Sequence, residues 1–247
     1  MPPGYPTSRH APLASLALRA ADARAVSWPG IVVICREETY MSFDYGAHVF
    51  RSPQFRSVVD EAIGFFLKTP VHKLPPPDDF PGTGVYALYY TGDYKLYVNV
   101  SEPNQLSATQ PIYVGKAVPP GWRTARLTSL TAPVLHRRLQ EHARSIEQAE
   151  NLNLDDFLCR FVILGGIESD LVVPLEAALI RRYKPLWNSV IDGFGNHDPG
   201  KRRYNQAKSE WDVLHPGRPW ANRLTGPAPR LADIIARLNV DSDASLP

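Results

Sequence analysis

Arg138 and His142 stand four residues apart in the stretch Pro133–Gln148, which puts a fixed cation and a titratable imidazole on one helical face. Glu176 falls in the first turn of a second predicted helix, on its apolar side, among Leu175, Ala177, Ala178 and Leu179. A carboxylate in such surroundings needs a partner, and a metal ion is one candidate. Tyr86 and Tyr113 lie in two short β-rich runs, and Asn188 follows Glu176 by twelve residues. An imidazole and phenols can move protons, a guanidinium can hold an anion, and a carboxylate can hold a cation. Each group also has a plain structural use. Tyrosines in strands pack, an Arg–His pair on a polar helix face meets solvent, and a glutamate near a helix N-terminus complements the helix dipole. Singly, none of them decides.

The elements that must carry these residues can be read from periodicity. Gly84–Tyr90 (GVYALYY) and Pro111–Lys116 (PIYVGK) read as strands, with a polar loop, Ser101–Gln110, between them. Pro133–Gln148 reads as a helix with Pro at its start and Val134, Leu135 and Leu139 as its apolar positions. Phe157–Leu164 (FLCRFVIL) reads as a third strand, and Leu171–Tyr183 as a second helix stopped by Pro185. The central order is strand, strand, helix, strand, helix. Upstream, Phe55–Leu67 is predicted helical, with Phe55, Val58, Val59, Ala62, Ile63 and Phe66 on one face, and Ile31–Cys35 reads as a strand. The run Pro70–Pro81, with five prolines, reads as a connector. Residues 188–230 suggest only a short helix around Tyr204–Val213, and Leu231–Leu238 a terminal one.

Taken together and in order, these residues acquire a meaning. Gly84-Val85-Tyr86, followed by Tyr113-Val114-Gly115, resembles the GIY-YIG nuclease signature, with Val in place of Ile in both motifs. Arg138 and Glu176 stand where that family carries its catalytic arginine and metal-binding glutamate. The Arg-x-x-x-His of Arg138 and His142, the downstream Asn188, and the stretches KLPPPDDFPGTGVYALYYTG and WDVLHPGRPW resemble its type II restriction endonuclease branch, over roughly residues 70–223. The resemblance implies an α/β (α+β) fold with a small mixed or antiparallel sheet of about three strands flanked by helices. It divides the chain into an N-terminal arm and helical extension (1–69), a catalytic core (70–192) and a C-terminal DNA-contacting extension (193–247).

The resemblance also assigns roles. Tyr86 would be the general base or relay for an attacking water. A free tyrosine, with a pKa near about 10, is a poor base at neutral pH. Nearby positive charge should lower that value, and Lys116 is a candidate. His142 would accept or share the proton. Arg138 would clamp the scissile phosphate, and Tyr113 would bridge to the phosphate or the water. Glu176 would hold one divalent ion, Mg²⁺ with Mn²⁺ as a substitute, and Asn188 would orient the tyrosine or the glutamate. Base and phosphate contacts are expected from Arg123, Arg126, Lys201, Arg202 and Arg203. His197 and Asp198 are better explained by a Gly-rich turn than as a metal pair. The restriction analogy further implies double-stranded DNA as substrate, a homodimer that cuts both strands, and a cognate DNA methyltransferase as genetic partner. Homing or repair nucleases, and a catalytically silent DNA-binding relative, are the competing readings. A silent relative should have lost Arg138 or Glu176, and both are present.

Composition sets the outer bounds. The 247 residues are 44% hydrophobic and 21% charged, enough apolar material for a core and ordinary for a globular chain. No apolar run approaches a membrane span, and the two cysteines, Cys35 and Cys159, exclude a disulfide scaffold and a Cys-x-x-Cys zinc site. A reducing, cytoplasmic compartment is expected. Pro12–Ala25 reads as a surface helix or arm, not a targeting peptide. The net charge is only +2, but it is unevenly spread: residues 116–144 and 181–230 are basic, and the acidic stretch 145–180 lies between them. Basic blocks that meet in space could neutralise phosphates.

Overall fold

Thr83–Tyr90 is buried along nearly its whole length, and the rest of the fold follows from that. Side chains along a strand alternate between faces. Here Tyr86, Leu88 and Tyr90 enter one hydrophobic cluster while Val85, Ala87 and Tyr89 enter another. Both faces of the strand must therefore be covered, which explains why it reads as a continuous apolar and aromatic run without polar alternation.

The computed structural model describes residues 43–122 and 132–244. The chain divides into two units, Met1–Phe50 and Arg51–Pro247. In the first, the described residues form a 3-10 turn, Gly46–His48, with Phe43 stacked on His48. The second contains, in order, α1 (Pro53–Lys68), β1 (Val71–Lys73), β2 (Thr83–Tyr90), α2 (Val98–Leu106), β3 (Tyr113–Ala117), α3 (Val134–Glu147), β4 (Phe157–Leu164), α4 (Val172–Tyr183), α5 (Leu186–Ser189), α6 (Glu210–Leu214) and α7 (Leu231–Ala244). The strands form one antiparallel sheet in the order β1-β4-β2-β3. On one face, Leu135, Leu139, Ala143 and Ile146 of α3 pack with Trp187, Phe194, Trp211 and Ile234. On the other, Val59, Ile63 and Phe66 of α1 pack with Val172, Leu175 and Leu179 of α4. Among the described residues, no helix is long and apolar enough to cross a membrane.

The predicted strand–strand–helix–strand–helix core is present, and the sheet is wholly antiparallel. Five expectations change. The proline-rich connector contains a fourth strand, β1, paired with β4 at the sheet edge, where neighbouring prolines are tolerated. The polar loop Ser101–Gln110 is instead largely the helix α2, with Pro103 inside it. Of its three buried positions only Val100 is apolar, and the other two, Ser101 and Asn104, satisfy backbone. Ser101 donates to the Gly92 carbonyl, and Asn104 bonds the carbonyls of Tyr90 and Gln110 and the amides of Thr109 and Gln110. No apolar stripe therefore marks the helix. In α1, Phe55 and Val58 are exposed, so its packed face is narrower than predicted. The terminal helix runs to Ala244, and the helix expected around Tyr204–Val213 is confined to α6, which Ser209 caps. The predicted strand Ile31–Cys35, the arm Pro12–Ala25, and Arg123 and Arg126 lie outside the described residues.

Gly84 shows why the first signature motif begins with glycine. A Cβ there would lie 1.9 Å from the Val162 carbonyl oxygen of β4, so no other residue fits without separating the two strands.

Away from the signature residues, the C-terminal segment is tied to the core by a buried polar chain. Trp187 Nε1 donates to Tyr97 Oη (2.9 Å), Tyr97 donates to His215 Nε2 (2.6 Å), and His215 Nδ1 donates to Asn151 Oδ1 (2.8 Å). The chain is complete with His215 neutral, and a second ring proton would meet a hydroxyl that already donates toward the ring. Burial, reinforced by Arg218, pushes the His215 pKa down to about 3. The unfolded chain takes up this proton near pH 6.5, roughly its free value. Stability from His215 is therefore fully present above that pH and is lost as pH falls toward 3, by about 1.4 kcal/mol per pH unit. His142, also held neutral by burial, acts in the same direction. Urea titrations at pH 7, 6 and 5 are expected to show this decline, and His215→Gln should flatten its slope by about one proton. An unchanged slope would show that His215 is not a source of the acid sensitivity.

Candidate active site

Antiparallel register decides which residues can meet. Tyr86 pairs with Gly115 and Val85 with Lys116, so Tyr86, Gly115 and Tyr113 share the face covered by α3, while Lys116 points to the face covered by α4. β3 is the sheet edge. A cleft of about 630 Å³ opens there, lined by Tyr113, Lys116, Arg138, Glu141, Glu176 and His197 among others. The edge position lets residues from both faces reach one cavity.

Behind the cleft wall, Tyr86 is fully buried and its hydroxyl lies 2.6 Å from His142 Nε2. Gly115 makes this possible, because a Cβ there would stand 2.4 Å from Tyr86 Oη. The glycine of the second motif is thus the space occupied by the tyrosine of the first. Burial pushes the Tyr86 hydroxyl well above its ordinary range, with Tyr113 adding to the effect and Arg138 opposing it. Burial, helped by the charges of Arg138, His197 and Arg218, holds His142 well below the usual imidazole range. The resting pair is a neutral phenol hydrogen-bonded to a neutral imidazole. The expectation that positive charge would bring Tyr86 below its free value is therefore corrected: desolvation outweighs Arg138. Lys116 is not the neighbouring charge either. Its ammonium bonds Glu176 Oε2, as the pleat requires.

Arg138 reaches into the cleft from α3. Its Nη1 bonds Glu141 Oε2 (2.9 Å) and His197 Nε2, and its Nη2 donates to the Gly195 carbonyl (3.0 Å). It also acts on the hydroxyls of Tyr86 and Tyr113. Glu176 projects from α4 into the same cavity, one turn past the helix start. Two carboxylates line the cleft, Glu141 bonded to Arg138 and Glu176 bonded to Lys116, and Glu176 is the one on which the resemblance places a cation. One or two carboxylates suit a hard cation that keeps most of its water, and this donor set fits Mg²⁺.

Asn188 does not bond the tyrosine or the glutamate. Its side-chain amide pairs with the backbone of Val114, accepting from the amide (2.8 Å) and donating to the carbonyl (2.9 Å). It braces β3 between Tyr113 and Gly115. Lys201, Arg202 and Arg203 form an exposed 3-10 turn. Arg203 lines a separate cavity of about 550 Å³ beside the cleft.

Sequence reasoning placed Gly193–His197 in the DNA-contacting extension and missed its contact with the site. Phe194 stacks on His142 (4.5 Å, 16°) and meets Tyr113 edge-on (4.9 Å, 77°), and His197 sits on Arg138. His197 is thus part of the site, through Arg138, while Asp198 closes its own turn on the Gly200 amide and bonds Arg223. Glu141, three residues after Arg138, was legible as a helical ion pair, but nothing in the Gly-rich segment signals that it folds over α3.

The Eco29kI GIY-YIG domain family model matches residues 78–241, from just before the first signature strand into the terminal helix. No curated protein matches the chain.

Proposed function

The chain belongs to the Eco29kI GIY-YIG domain family of nucleases, and from that premise we propose that it is a type II restriction endonuclease, hydrolysing phosphodiester bonds of double-stranded DNA at a specific site. The observation that carries this reading is the convergence of Arg138, Glu176 and Tyr113 on one cleft, with the Tyr86–His142 pair directly behind it.

In this reading Arg138 holds a non-bridging oxygen of the scissile phosphate and stabilises the charge that builds on it. Glu176 would hold the divalent cation, Mg²⁺ or Mn²⁺ in its place, which when bound supplies Lewis-acid stabilisation of the leaving 3′ oxygen. Lys116, now on Glu176, would then be free to face the phosphate. Tyr86 serves as a relay and not as a resident base. Its hydroxyl already bonds His142 Nε2, and with that nitrogen unprotonated the neutral imidazole can take the phenol proton as the tyrosine oxygen receives one from the attacking side. Tyr113, in the cleft wall and acting on the Tyr86 hydroxyl, is the group that meets water or phosphate. Asn188 holds the strand that carries it. Arg123, Arg126, Lys201, Arg202 and Arg203 supply contacts to DNA. Cutting both strands calls for a homodimer, and survival of the host calls for a methyltransferase that protects its own sites.

The test is to incubate the protein with unmethylated plasmid and phage DNA in Mg²⁺ or in EDTA. Discrete fragments with Mg²⁺ and none with EDTA are expected. A smear would replace the site-specific reading with that of a less selective nuclease, and intact DNA bound in a salt-sensitive way would remove the enzyme reading.

A further inference from the structure

Arg218 is charged, and its side chain is wholly buried. Its Nε donates to Asp212 Oδ1 (2.6 Å), and Asp212 is held in turn by Ser209 (2.6 Å). The remaining donors go to three carbonyls of one segment: Nη1 to Phe194 (3.1 Å) and Asn196 (3.2 Å), and Nη2 to Gly193 (3.0 Å). The Trp211 and Trp220 rings each lie 4.6 Å from its guanidinium carbon. Only a planar fork can serve the carboxylate and the carbonyls together, and such stacking also favours arginine. The segment so gripped is the one that contacts the chemistry: Phe194 lies flat on His142, and the Gly195 carbonyl accepts a hydrogen bond from Arg138.

We propose that Arg218 is a positioning residue for DNA cleavage, holding Gly193–Asn196 so that Phe194 orients His142 and Gly195 aims Arg138. The proposal rests on the nuclease reading above. It makes the C-terminal extension part of the catalytic apparatus as well as a source of DNA contacts. Arg218 touches no reacting atom and works through two residues that do.

The test compares the parent with Arg218→Lys, Phe194→Leu and the double variant in steady-state cleavage with Mg²⁺, at a temperature where circular dichroism shows all four folded. Arg218→Lys keeps a cation beside Asp212 but cannot hold three carbonyls. It should lower kcat tenfold or more with KM within threefold. Phe194→Leu should do likewise, and the double variant should be little worse than the poorer single one, since both act through one segment. Parental kcat, a rise in KM alone, or losses that multiply would each overturn the proposal. If Arg218→Lys does not fold, Phe194→Leu alone decides, and parental kcat overturns it. A parent that does not cut DNA overturns the nuclease reading as well. A cutting parent with an inert Arg138→Ala variant and an unimpaired Arg218→Lys variant overturns only this inference.

Discussion

Arg138→Ala is expected to lower the single-turnover rate of DNA cleavage by about 10³-fold, the scale on which a lost transition-state donor is felt. The guanidinium is held in place before substrate arrives, by Glu141 and the Gly195 carbonyl, so little reorganisation is needed when the phosphate docks. The same charge opposes the desolvation that keeps the Tyr86 proton in place. Its removal therefore weakens both charge stabilisation and proton transfer. Arg138→Lys separates charge from shape. An ammonium preserves the charge but cannot bond the carbonyl, the carboxylate and a phosphate at once, so a loss of about 10²-fold should remain. DNA affinity at fixed salt should fall only modestly, because one phosphate contact among many sets a small part of the salt-dependent binding. A variant that cuts within tenfold of the parent would show that Arg138 does not stabilise the transition state.

How much of this site was legible depended on whether a residue's neighbours lie within reach of its own element. The signature glycines could be read because each is imposed by a backbone approach, Gly84 to β4 and Gly115 to the Tyr86 hydroxyl. Arg138 and His142 could be read because helical spacing alone puts them on one face. Lys116 was given the wrong partner although the pleat already spoke against it. A residue opposite Val85 cannot share the face of Tyr86, and parity sends it to Glu176. Asn188 was placed by order along the chain, which says that it comes near β3 but not that its amide binds main chain. The helix α2 was hidden because two of its three buried positions are polar, and β1 because three residues beside a proline run carry little pattern. The Gly193–His197 segment and Arg218 were the least legible. Their contacts are to carbonyls and rings far along the chain, and no local periodicity encodes them.

Glu176→Ala is expected to bring cleavage down by about 10³-fold or more, since Lewis-acid stabilisation of a leaving oxygen is worth several kcal/mol, each ~1.4 kcal/mol being a factor of ten. The alternative structural role of this glutamate is to pair with Lys116, and the two roles predict different behaviour. An ion pair with both partners partly exposed contributes at most about 1 kcal/mol, so its loss alone would cost cleavage little and stability slightly. If Glu176 instead holds the cation, Glu176→Ala should abolish cutting while the protein still binds duplex DNA in EDTA at least as tightly as the parent, because a negative charge has left the phosphate's neighbourhood. Glu176→Gln, nearly the same shape but uncharged, should fare no better, because a neutral amide is a far weaker ligand for a hard divalent ion. Lys116→Met distinguishes the partners further. It frees Glu176 without removing the carboxylate, so the Mg²⁺ concentration for half-maximal rate should fall if the ammonium and the cation compete for the same oxygen. Cleavage by Glu176→Ala within tenfold of the parent, at any Mg²⁺ concentration, would reduce Glu176 to the partner of Lys116 and move the cation site elsewhere.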